Sequence, residues 1–281
     1  VYKRQVLNFV LTLVYNKANL CIMATQKRKK INQLIAEWPR GTVAVASYLK
    51  KRGFRHELLR TYKNSRWIDS IGHGAFKLYG DSVDWIGGLY ALQKQLDLHI
   101  HAGGKTALEL KGYAHYISEK WNKVFLYGRS PQKMPAWFKK FSWDAEIVYS
   151  STKLFPGSLE EGFSELKNKE YSIKISSPER ASMEMLYHVP NKVTFEEAFL
   201  IMENLISLRS DVVQNLLENC NSVKVKRLFM YMAEKHSHTW LAKVNTSNAN
   251  FGKGKRRIVQ KGMLDNKYLI TVPKHYEEEV S

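Results

Sequence analysis

Apolar positions change their period as the chain is followed from its first basic segment. Between residues 29 and 38 they fall at Ile31, Leu34, Ile35 and Trp38, a helical i, i+3, i+4, i+7 spacing that Pro39, Arg40 and Gly41 end. A second helix is expected from about Val43 to Lys51, with Val45 and Leu49 inward. Gly53 then supplies a turn at a position that requires a positive φ. A third helix is expected from about Arg55 to Asn64, with Leu58, Leu59 and Tyr62 as its core stripe. Trp67, Ile68, Ile71, Ala75 and Phe76 follow as two short strand-like pieces around Gly72-His73-Gly74, a hairpin tip in spacing and glycine content. That order of helices, turn and hairpin is the order of a winged helix-turn-helix.

Beyond residue 80 the pattern mixes the two periods. Asp81 to Asp84 reads as a linker and cap before a helix from about 83 to 96. LHIHAGG (98–104) reads as a strand ending in glycines, and KTALELKGYAHYI continues as helix and turn. Further strands are expected at 123–128, 145–151, 171–177 and 267–272. Pro178 opens a helix reaching about Tyr187, and three more helices are expected at 194–207, 210–219 and 222–236. The Gly/Asn/Lys-rich stretch 245–262 reads as a loop. The fold class expected is α+β: a winged helix-turn-helix over 24–80, then a mixed α/β domain over 81–275.

The N-terminus mimics a signal peptide, because Lys3 and Arg4 precede the apolar run VLNFVLTLVY at 6–15. The run is too short to span a bilayer as a helix, no small-x-small cleavage site follows, and Met23 opens a basic segment. Residues 1–22 are therefore expected to be a non-native or disordered leader, and no membrane partner is expected. Two cysteines, Cys21 and Cys220, build neither a disulfide framework nor a cysteine zinc site, so a reducing cytoplasm is the default.

Charge changes this picture more than composition does. The formal net charge is +18. It sits in two blocks, +10 over 27–66 and +9 over 224–267, around a middle of −2 over 67–223. Such a balance points to a polyanionic partner. In a helix-turn-helix the second helix of the pair enters the major groove. On the helix at 55–64, Arg55, His56 and Arg60 would lie nearest base edges, with Lys63 and Asn64 nearer the backbone. Arg pairs with guanine, Asn with adenine, and Lys contacts phosphate. His73 would sit at the wing tip. A second basic surface is expected from Lys224, Lys226 and Arg227 on a helix and Lys253, Lys255, Arg256 and Arg257 in a loop. Solvated charge is the alternative reading for each block.

Catalytic patterns fail on inspection. GGKT (103–106) resembles the end of a phosphate-binding loop, but position 99, where the pattern needs glycine, is His. His99 and His101 alternate on a strand without an evident carboxylate and read as a buried or half-buried pair. His236 and His238 read the same way. Glu179 and Arg180 after Pro178 read as a helix start. No catalytic residue, metal or cofactor is expected, and the chain is not expected to be an enzyme.

Several runs carry a resemblance: ALQKQLDLHIHAGGKTALELKGYAHYI (91–117), VFLYG (124–128), MPAWF (134–138), SSPERASMEML (176–186), SVKVKRLFMYMAEKHSHTW (222–240), then GKGKRRIV and KYLITVP. In this order, from about 27 to 273, the chain resembles the AbiE-type antitoxins, the AbiEi regulators of bacterial abortive-infection toxin–antitoxin operons. The resemblance implies an N-terminal winged helix that binds inverted repeats in its own promoter and represses the operon. It implies a C-terminal antitoxin domain that counters a nucleotidyltransferase-like toxin from the neighbouring gene. It also implies the type IV arrangement, without a stable toxin complex. One departure is Arg55, where members often carry Ser or a similar helix cap. An RNA-binding module that protects the toxin's target is the alternative function.

Overall fold

The protein is described by a computed structural model covering residues 30–114 and 122–274. The leader expected at 1–22, Cys21, the start at Met23 and the HYI of KGYAHYI lie outside the described residues. The chain divides into two units, one ending at Val83 and the other beginning at Asp84.

The first unit opens with helix α1 (30–37), whose Ile31 and Leu34 are buried with Trp38 just beyond its end. The Trp38 Nε1 donates to the Thr42 carbonyl at 3.2 Å, which fixes the turn after α1. Next comes strand β1 (Ala44–Val45), where the sequence suggested the start of a helix. The reason is burial: Thr42 to Val45 are all inaccessible, and two valines in a doubly covered run favour extended backbone. Helix α2 (Ala46–Lys51) and helix α3 (His56–Asn64) follow. Between them Gly53 has φ +86°, with its N–H donated to the Lys50 carbonyl at 3.0 Å and that of Phe54 to Leu49 at 2.9 Å.

Strands β2 (Ile68–Gly72) and β3 (Ala75–Leu78) form the hairpin, with a bulge between Ser70 and Gly72. β1 pairs antiparallel with β3, so the small sheet runs β1-β3-β2. Ile31, Leu34, Trp38, Leu49, Phe54, Leu59, Tyr62, Ile68 and Leu78 close one core between sheet and helices. This is a winged helix-turn-helix. Asp81, just past the hairpin, ties it to the turn between α1 and β1, accepting from Arg40 at 2.9 Å and from the Gly41 N–H at 3.2 Å.

The second unit holds a five-stranded mixed sheet ordered β6-β5-β4-β8-β7. It is built from β4 (Ile100–Ala102), β5 (Lys123–Arg129), β6 (Glu146–Thr152), β7 (Phe163–Lys167) and β8 (Ser172–Ser176). Helix α4 (Trp85–Lys94) starts at Asp84, whose side chain accepts from the Gly87 N–H at 2.9 Å, and it packs on β4 and β8. Helix α5 (Gly104–Leu110) follows β4, and the short α6 (Ala136–Lys140) follows β5. Helix α7 (Pro178–Tyr187) is buried from Glu179 to Leu186 without interruption. It is enclosed by α5, α8 (Phe195–Glu203), α9 (Ser210–Asn219), α10 (Val223–Lys235) and β8. A second small sheet orders β9 (Arg256–Arg257), β10 (Met263–Asp265) and β11 (Ile270–Val272) as β10-β11-β9. Part of the expected loop at 245–262 is therefore strand, and the last strand is shorter than KYLITV suggested.

A Cβ on Gly53 would meet nothing within 4 Å, so only its left-handed backbone demands glycine. Gly53→Ala should destabilise the protein by about 1 kcal/mol, and Gly53→Asn by less. Equilibrium urea unfolding checks this, and equal costs for the two variants would refute it.

Candidate nucleic-acid interface and the buried polar cluster

α3 exposes one basic face. Leu59 and Tyr62 point into the core, while Arg55, His56, Arg60, Lys63 and Asn64 are all exposed. The spacing 56, 60, 63 and 64 keeps these residues on one side of the helix. Arg55 occupies the N-cap with extended backbone and makes no side-chain cap hydrogen bond. Its guanidinium therefore does not serve the helix start in the way a Ser would. Arg55, Arg60 and Lys63 form no ion pair among the described residues. Lys50, Lys51 and Arg52 at the end of α2 extend the positive surface, although Arg52 is paired with Glu37. His73 is exposed at the hairpin tip, beside Gly74 with φ +72°.

The second basic group divides. Lys253, Lys255, Arg256 and Arg257 are exposed. Lys224, Lys226 and Arg227 do not make a surface, contrary to the expectation from sequence. Lys226 and Arg227 are 4% and 2% exposed. The Lys224 Nζ donates to the carbonyls of Tyr187 at 2.8 Å and Val189 at 2.6 Å, and burial lowers its pKa. Arg227 spends its guanidinium on four carbonyls: Phe251 at 2.8 Å, Gly254 at 2.7 Å, Leu269 at 3.2 Å and Gly252 at 3.1 Å. It holds the backbone on which the exposed cations stand.

The most ordered polar chemistry lies elsewhere, around Glu184 of α7. One carboxylate oxygen accepts from His101 at 2.9 Å and Arg180 at 3.0 Å. The other accepts from the Ser176 hydroxyl at 2.7 Å and the Gly104 N–H at 3.1 Å. Burial alone would raise the Glu184 pKa; the charges of His101 and Arg180 and the Ser176 hydrogen bond outweigh it and hold the group at about 2. The Tyr127 hydroxyl donates to the Glu184 carbonyl at 2.9 Å. One turn earlier, Glu179 accepts from Ser177 at 2.5 Å and from the Arg209 Nε and Nη2 at 3.0 and 3.1 Å.

This geometry explains two sequence features. A Cβ on Gly103 would collide with the Glu184 carboxylate, and Gly104 sits at φ +53° to aim its N–H at the same group. The GG of GGKT thus serves close approach to a carboxylate. The histidines at 99 and 101 do not form a like pair: His99 is exposed, His101 is buried, and the carboxylate thought absent is Glu184, 83 residues away. Both line a cavity of about 230 Å³ with Arg129, Phe163, Lys174 and Arg180. No group of three metal-ligating side chains occurs among the described residues.

Because the folded-state pKa of Glu184 is depressed, its contribution is complete above the unfolded value near 4.5 and is lost as pH falls toward 2. Glu184→Gln should lower stability by about 3 kcal/mol at pH 7, a deficit that shrinks between pH 4.5 and 2. Chemical unfolding across that range reads it, and a deficit independent of pH would contradict it.

Comparison with known proteins agrees along the chain. Residues 27–119 match the family described as transcriptional regulator, AbiEi antitoxin N-terminal domain. Residues 121–273 match the one described as transcriptional regulator, AbiEi antitoxin, type IV TA system. No curated protein matched. Among solved structures, the crystal structure of the RV2827C protein from Mycobacterium tuberculosis is similar in fold. The TM-score is 0.54 at 12% identity, over 88% of this chain and 90% of that one. Matched through both its winged helix and its α/β unit, the chain belongs to the AbiEi antitoxin family of type IV toxin–antitoxin transcriptional regulators.

Proposed function

We propose that this protein is a DNA-binding autorepressor and an antitoxin. The winged helix binds inverted repeats in the promoter of its own operon, and two copies on one repeat exclude polymerase. The observation that carries the reading is the exposed, unpaired face of Arg55, Arg60 and Lys63 on the second helix of the helix-turn-helix. His56, Asn64 and His73 complete the proposed contact set. Phosphate contacts dominate affinity, so binding weakens steeply with salt.

The second unit counters a nucleotidyltransferase-like toxin encoded by the neighbouring gene. Lys253, Lys255, Arg256 and Arg257 are the proposed antitoxin surface, because they are exposed and Arg227 fixes the backbone beneath them.

Fluorescence anisotropy on promoter DNA, scrambled DNA and an RNA of equal length, at two salt concentrations, tests the repressor half. Selective binding to promoter DNA is expected, and Arg60→Ala should cost about 1–3 kcal/mol. Equal binding to both DNAs would sink the reading, and preference for the RNA would favour an RNA-shielding role. Charge reversal at 253, 255, 256 and 257 should abolish rescue of cells expressing the toxin, while DNA affinity stays within about twofold.

A further inference from the structure

The cavity beside Glu184 has no part in the repressor reading, and its charges are arranged for a ligand. Its volume of about 230 Å³ far exceeds the ~10–15 Å³ that one water needs. Arg180 lies at its base with a side chain only 9% exposed. Its Nε bonds Glu184, its Nη1 bonds the Leu159 and Glu161 carbonyls, and its Nη2 has no hydrogen bond among the described residues. The Phe163 ring supports this cation at 4.1 Å and Lys174 at 4.7 Å. The buried His101 is a second group on the same wall, and its Nδ1 has no hydrogen-bond partner among the described residues.

At the rim, a single carboxylate bridges two cations. Glu160 accepts from Arg129 at 2.6 Å and from Lys174 at 2.8 Å, and its side chain is 58% exposed. Arg129, Lys174 and Glu160 all line the cavity. Glu160 stands in the segment between β6 and β7, which Arg180 holds by the carbonyls of Leu159 and Glu161, so it is tethered near its partners. It occupies the place an incoming anion would take.

We propose that this cavity binds the phosphate group of a small phosphate monoester, with Arg129 and Lys174 released from Glu160 and Arg180 engaged through Nη2. A monoanion would only exchange one carboxylate for another against a tethered competitor at high effective concentration. A dianionic phosphate brings more charge and more acceptor oxygens, and guanidinium groups match them in geometry. The organic part of the ester occupies the remaining volume along Phe163 and Phe155.

Isothermal titration of the full chain with adenosine 5′-monophosphate, inorganic phosphate and adenosine tests this. Saturable one-to-one binding of either phosphate probe, and none of adenosine, is expected; which of the two binds more tightly distinguishes an ester from the free ion. Arg129→Gln combined with Lys174→Gln should weaken binding at least tenfold. Glu160→Gln should tighten it at least threefold, because the internal competitor is gone. Lys139→Gln combined with Lys140→Gln, exposed and outside the cavity, should leave it within twofold. No saturation up to about 10 mM would overturn the proposal. Adenosine binding as well as its phosphate, or an unchanged affinity in Glu160→Gln, would do the same.

Discussion

The second unit depends on one constraint: a helix buried on every side that carries ionised groups. α7 places Glu179, Arg180 and Glu184 inside the protein, where an unpaired charge costs several kcal/mol. The surrounding elements are arranged around meeting that cost. β4 contributes His101, the start of α5 a backbone N–H, β8 Ser176, and the start of α9 the guanidinium of Arg209. Each partner comes from a different element, so satisfying two carboxylates also fixes the positions of two strands and two helices. Apolar packing supplies most of the driving force for folding, but it does not select among registers as directed hydrogen bonds do.

The first unit is specified differently. It has one small apolar core and no buried ion pair among its described residues. Its geometry rests on Gly53 between α2 and α3, on the Trp38 indole, and on Asp81 joining the start of β1 to the end of the wing. Little polar chemistry is consumed in holding it together, which leaves the cations of α3 unengaged. In the second unit the reverse holds, and several cations are taken up by carbonyls and carboxylates inside.

What the sequence revealed follows from the range of the interactions involved. The helices of the winged unit were legible because their signals are local: a 3.6-residue apolar period, a turn glycine, a glycine-flanked hairpin tip. The start of α7 at Pro178 was legible for the same reason. β1 was not, since two residues carry no period and only pairing with β3 makes them a strand. β7 was missed because its positions are half-exposed and show no clean alternation. The Glu184 cluster was invisible because its members stand far apart in sequence. Lys226 and Arg227 were read as surface because such residues are rarely buried. The carbonyls that receive Arg227 come from 24 to 42 residues away.

The cluster on α7 also bears on how this chain tolerates change. A run such as Ser176-Ser177-Pro178-Glu179-Arg180, with Glu184 and a nearby histidine, has the makeup of a reaction centre. Most of its hydrogen-bonding capacity is already used by the protein itself. Invariance at these positions among related proteins would report the folding requirement of an interior helix together with whatever the adjoining cavity asks of Arg180. The freedom to diverge lies instead with α3 and residues 253–257, where exposed cations bear on no packing and can be exchanged one at a time.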